Sequence, residues 1–171
     1  MSVDVNLTPD ELVLAADIAR GRMISATAAA REPNWQAAPR GWGEEWEAHL
    51  IGIAGEIAVA RYLGRYWPAT TTYRKGDADL PPDVEVRTAR RSDGSLIMHA
   101  ADQLDRWFVL VVVLGYDGPM PRALRIVGSI RGRDVEGHDE WVRDPLKSGR
   151  PAWFVPQSAL HPIRPKAEAV R

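Results

Sequence analysis

Eight consecutive residues, Trp107 to Leu114 (WFVLVVVL), are apolar without a single polar interruption. A strand with one wet face alternates, so this run predicts a central strand covered on both faces. Whatever else the chain forms must supply those covers. It is long enough to do so: 171 residues, 45% hydrophobic and 26% charged, fit one domain with a sizeable core. We expect that domain to span residues 1–163, with 164–171 (RPKAEAVR) as a mobile tail lacking apolar periodicity.

Two helices should precede the strands. Thr8 as N-cap, Pro9 at the first helical position and Glu11 three residues after the cap mark the first start. Leu12, Ala15, Ile18, Ala19, Met23 and Ile24 then recur at helical spacing to about Ala30. Arg31 to Gly43 reads as a loop rich in proline, glycine and tryptophan. The second helix should run from about Glu44 to Leu63 and end on Gly64 as a left-handed cap. Its middle, LIGIAGEIAVA, is apolar all round except for Glu56. A helix of that kind is buried, and a buried carboxylate must be paired, protonated or metal-bound. The plainer reading is a hydrogen bond from one of the chain's many arginines. Gly52 and Gly55 flank Glu56 and would admit a second backbone.

Further strands are expected at Thr70 to Arg74, Ser95 to His99, Leu124 to Ile130 and Trp153 to Val155, with a single helical turn at Pro156 to Leu160. Between the first two lies GDADLPPDVEVRT, Gly76 to Thr88. Pro81-Pro82-Asp83 should make a tight turn joining Ala78-Asp79-Leu80 to Val84-Glu85-Val86. That hairpin would set Asp79 nearly opposite Glu85, close enough to share a divalent cation. Two residues apart in a strand, Glu85 and Arg87 point to one face, while Val84, Val86 and Thr88 form the buried one. Phosphodiester cleavage needs a hard cation to polarise a phosphoryl oxygen and acidify water. Asp79, Glu85 and the Val86 carbonyl could supply its ligands. Asp77 competes with Asp79 for that role by spacing alone. The plainer reading is a solvated acidic turn with surface ion pairs.

This order of residues resembles the PD-(D/E)XK nuclease superfamily over roughly Glu44 to Gly115. Glu56 in GEIAVARYLG matches the helical glutamate, Asp79 the aspartate, and Glu85-Val86-Arg87 the E-x-K position. The EVRT segment and WFVPQSAL (Trp153 to Leu160) also look like parts of small actinobacterial virus proteins. The resemblance implies an α+β fold with an α/β-type core: a restriction-endonuclease-like mixed β-sheet flanked by helices, two of them N-terminal. It implies catalytic roles for Glu56, Asp79, Glu85 and Arg87, Mg²⁺ or Mn²⁺ as cofactor, and hydrolysis of DNA. Arg87 departs from the pattern, since a guanidinium stays protonated above about pH 12 and cannot act as a base. The alternative is therefore a catalytically degenerate member that binds DNA or protein in phage or host-defence biology.

Arg74, Lys75, Arg87, Arg90 and Arg91 form the densest basic group. On the functional reading Lys75, Arg90 and Arg91 face a phosphate backbone; on the plainer one they solvate a rim. A net charge of -1 and a pI near 6.4 leave no global attraction to nucleic acid. Trp107, Trp141 and Trp153 are expected to pack rather than to stack on bases, and His99 and the run His138-Asp139-Glu140 to be incidental. The absence of cysteine excludes disulfides and thiolate zinc sites. With no apolar leader in view, a cytoplasmic protein is expected, in the host cytoplasm if viral. No membrane partner is expected, whereas a homodimer or a protein partner is compatible with the chain.

Overall fold

The structure is a computed structural model and describes residues 2–28, 41–72, 76–145, 147 and 149–165. It is a mixed α+β arrangement in three layers: two helices, a four-stranded sheet and a three-stranded sheet. The run that demanded two covers is β4 (Trp107–Asp117), and it has them. Val109, Val111 and Val113 face the helices, whereas Phe108, Leu110 and Val112 face the second sheet; all six are buried.

Helix α1 (Pro9–Ala28) starts as its capping sequence dictates. The Thr8 amide donates to Glu11 Oε2 at 2.7 Å and the Glu11 amide donates to Thr8 Oγ1 at 3.3 Å. Leu12, Ala15, Ala19 and Met23 are buried and Ile18 packs against the core. Ile24 corrects the expected face: it is 64% exposed, one position round from Met23. Helix α2 (Trp42–Leu63) begins two residues ahead of the expected start and ends on Gly64, left-handed at φ 60°. Ile53, Ala54, Glu56, Ile57, Ala58 and Val59 are all buried.

The first sheet has the order β1 (Val3–Asn6), β5 (Met120–Arg131), β4, β2 (Val84–Ala89). Strand β1 was not foreseen: four residues with one buried valine carry too little pattern. It pairs antiparallel with β5, as β5 does with β4. Strand β2 lies parallel to β4, with Val84 beside Trp107 and Ala89 beside Val112. The connection between them passes through β3 (Leu96–His99), which belongs to the second sheet with β6 (Val142–Arg143) and β7 (Ala152–Val155). Leu96, Met98, Ile130, Val135 and Val155 close that side of the core.

Two expectations are corrected. Thr70 to Thr72 is not a strand, the chain bending at Thr71 and Thr72, and the rest of that segment lies outside the described residues, as do most of the loop after Arg31 and the tail from 166 onward. The hairpin at Pro81 is reduced to one bridge, with Leu80 and Val84 exchanging both backbone hydrogen bonds at 3.0 and 3.1 Å across a cis Pro81–Pro82 turn. Among the described residues no helix is long and apolar enough to cross a membrane.

Candidate functional site

Strand β2 is the edge of its sheet, and alternate residues send their backbone groups away from β4. Val84 bonds to Leu80 on that free side. Two residues on, the Val86 amide donates to Asp79 Oδ2 at 2.9 Å. The chain ahead of the turn thus guards the edge with one peptide and one carboxylate. Asp79 is half-buried and lies outside any strand.

Three acids share this region. Asp79 has its pKa raised to about 6, first by burial and then by the negative charge of Glu56, against the Val86 amide and the cations Arg87 and Arg22. Glu85 is also pushed up, by burial and then by Asp79, against Arg87 and Arg106. Asp79 thus feels the charge of Glu56, and Glu85 that of Asp79.

Each outer acid is already matched by the chain's own cations. The Arg22 guanidinium grips Glu56 in a two-point fork, Nη1 to Oε1 at 2.7 Å and Nη2 to Oε2 at 2.9 Å, and Trp67 Nε1 donates to Oε2 at 2.8 Å. The plainer reading of Glu56 holds. Glu85 Oε1 accepts from Arg106 Nη1, and its Oε2 lies 3.2 Å from Arg87 Nη1. Arg87 also reaches Asp102 Oδ2 at 3.1 Å and lies over the Phe108 ring, 5.3 Å from its centroid. Its pKa is raised by Asp102, Glu85 and Asp79, which outweigh the opposing effect of burial. Glu85 and Arg87 do share a face, but at Glu85 that face is inside the protein, only 6% exposed, while Arg87 is half-buried. The expectation of one buried face is corrected, because the second sheet covers the other.

Mg²⁺ and Mn²⁺ need several unencumbered oxygens around one point. Both oxygens of Glu56 and both of Glu85 are taken by guanidinium groups, and Asp79 Oδ2 by an amide. Among the described residues no group of three acids or histidines is arranged to hold a metal. The residues as placed do not fit one.

Arg106 is the residue that the sequence reading missed. Its side chain is buried, and besides Glu85 it donates to the carbonyls of Gly76 and of Asp77, the latter at 3.1 Å. No signal in the sequence marked it, for its neighbours Asp105 and Trp107 are both exposed. Asp77, the competitor of Asp79, is exposed and enters through its carbonyl. A small cavity of about 20 Å³ lies against Arg22, Thr70, Thr72, Asp77 and Asp79.

Among the described residues, the basic group does not make a free cationic face. Arg90 lies 2.9 Å from Glu47, and Arg91 forms a two-point pair with Asp93 at 2.8 Å. Lys75 and Arg74 lie outside the described residues. Trp141 and Trp153 pack on the second core, and Trp107 carries Arg131 over its ring. His138 stacks on Trp141 and pairs with Glu140 on the surface.

A groove of about 920 Å³ runs along the free edge of β2, between α2 and the second sheet. Ile51, Ile97 and Phe154 give it apolar walls, and Glu44, Glu47, Asp102 and Asp144 are interspersed with Arg87, Arg90, Arg143 and Arg150. Gly55 lets Thr88 approach α2, for a Cβ there would collide with the Thr88 hydroxyl. That hydroxyl is buried and has no hydrogen-bond partner. Comparison with protein-family models, with curated proteins and with solved structures finds no match for this chain.

Proposed function

We propose that this chain is a non-catalytic binding module of restriction-endonuclease-like ancestry, which takes a polypeptide in the groove beside β2. One observation carries the reading: two of the three carboxylates at the positions of a metal-dependent nuclease are neutralised, Glu56 by Arg22 and Glu85 by Arg87 and Arg106, and Asp79 accepts the Val86 amide. An acid held in this way needs no cation, and Arg87 offers no base. The groove supports a polypeptide rather than a phosphate backbone. Among the described residues its four acids balance its four arginines, so these do not set up the single-sign field that draws nucleic acid. Apolar walls with interspersed charges suit alternating side chains.

The test has two parts. Incubation with single- and double-stranded DNA in Mg²⁺ or Mn²⁺ should give no cleavage that depends on Asp79 and Glu85; cleavage lost in both Asp79→Ala and Glu85→Ala refutes the proposal. Peptides selected from a displayed library on the wild-type chain should lose binding to Ile51→Arg; selection that yields no Ile51-dependent peptide removes the groove from the reading.

A second reading has its own support. Burial, and after it the negative charge of Glu56, lift Asp79 to about 6, and a buried acid beside a like charge is a place that welcomes a cation. On that reading the chain is an Mg²⁺-dependent nuclease acting on DNA, and Arg106 must first give up Glu85.

A further inference from the structure

The Arg106 guanidinium does more than pair with an acid. Nη1 donates to Glu85 and to the Asp77 carbonyl, and Nη2 donates to the Gly76 carbonyl. One carboxylate oxygen and two main-chain carbonyls converge on one buried positive group. That donor set, hard oxygens from a carboxylate and adjacent peptides, is what a hard divalent ion collects. Arginine suits the place because its planar fork addresses separate acceptors from a fixed geometry, which a lysine ammonium on a flexible stem does not. The contacts also tie the segment carrying Asp79 to the strand carrying Glu85. Without a cation here, two inward carbonyls and a buried carboxylate would lose their common donor.

We infer that Arg106 is the resident cation of this site, holding by its side chain the oxygens that a divalent ion would otherwise gather, so that removing the guanidinium turns the pocket into a cation site. The inference rests on the non-catalytic reading in one respect: both require the wild-type acids to be metal-free. It adds that the vacancy left by the arginine is the right one for an ion. Arg106 is thus a positioning residue for Asp79 and Glu85, and Glu85 remains the anchor of whichever cation is present.

Manganese titration, followed by electron paramagnetic resonance and calorimetry, separates the possibilities on four full-length chains: wild type, Arg106→Met, Glu85→Gln and the double variant. Wild type should bind no Mn²⁺ in the sub-millimolar range. Arg106→Met should bind one equivalent at least about tenfold more tightly than wild type, and its thermal midpoint should rise with added Mn²⁺ or Mg²⁺. The double variant should lose both effects while remaining folded, since charge and counter-charge leave together. If wild type binds one Mn²⁺ and Glu85→Gln abolishes it, this inference and the non-catalytic reading fall together. If neither wild type nor a folded Arg106→Met binds Mn²⁺, the inference alone falls. An Arg106→Met chain that stays unfolded with and without Mn²⁺ also overturns it, because the ion then does not replace the guanidinium.

Discussion

Replacing Asp79 by asparagine isolates the electrostatic strain of the site. Asparagine keeps an oxygen for the Val86 amide but removes the charge. The native carboxyl holds its proton to about pH 6, against an ordinary value of 3.8. Between those values the native state binds more protons than the unfolded chain, so rising pH weakens folding through this group. The penalty is absent below about pH 4 and complete above about pH 6. Two pH units at about 1.4 kcal/mol each set a ceiling near 3 kcal/mol, and relaxation around a half-buried group brings the expected gain to about 1–2 kcal/mol. Urea denaturation of Asp79→Asn and wild type from pH 4 to pH 8 gives the difference directly. The variant's advantage should grow from pH 4 to pH 6 and then level off. It should shrink when Glu56→Gln is also present, since Glu56 is the second cause of the shift. A difference that is flat with pH, or that falls as pH rises, refutes the reasoning.

Other outcomes follow from the same contacts. Glu56→Gln leaves Arg22 without its counter-charge, so it should cost about 2–3 kcal/mol, short of the 3–5 typical of a fully buried pair; calorimetry should show the midpoint lower by roughly 4–12 °C. Gly55→Ala drives a methyl into the Thr88 hydroxyl and should destabilise by about 1–3 kcal/mol. Most of that loss should vanish in the Gly55→Ala, Thr88→Ala double variant, and strict additivity would sink the explanation. Thr88→Val replaces an orphaned hydroxyl by a methyl of similar shape and should stabilise by about 1 kcal/mol in denaturant titration. Arg91→Ala should leave the thermal midpoint unchanged, because its partnership with Asp93 lies wholly in solvent.

What the sequence made legible was whatever a local rule encodes. Thr8 and Glu11 wrote the start of α1, Gly64 the end of α2, and the unbroken run at Trp107 required a layer on each face of β4. Glu56 announced itself as a buried acid because nothing around it could ionise. Ion pairs across the chain were invisible by comparison. Arg22 reaches Glu56 over 34 residues and Arg106 reaches Glu85 over 21, and no periodicity records which arginine turns inward. The alternation of Val84, Glu85, Val86 and Arg87 suggested one wet face, yet the second sheet, which brings Leu96–His99 beside Ala152–Val155, dried it at Glu85. The fate of Asp79 was legible only in part: its neighbourhood with Glu85 was foreseen, its bond to the Val86 amide was not.

The parallel pairing of β2 with β4 carries a consequence for assembly. A hairpin partner is one turn away, but β2 must wait while the chain leaves for the other sheet and returns at Trp107. The β4–β5 hairpin can form by itself, its turn lying at Gly118, whereas β3 needs Ala152–Val155 to complete its ladder. Edge strand β2, with its acids, then follows that hairpin, though its pairing of Val84 with Trp107 closes a far shorter loop than those of Leu96 with Val155 or Val3 with Ile126. Until it docks, Glu85 and Arg106 are both in water and owe each other nothing, so the charge that would be costly to bury alone enters the interior together with its counter-charge.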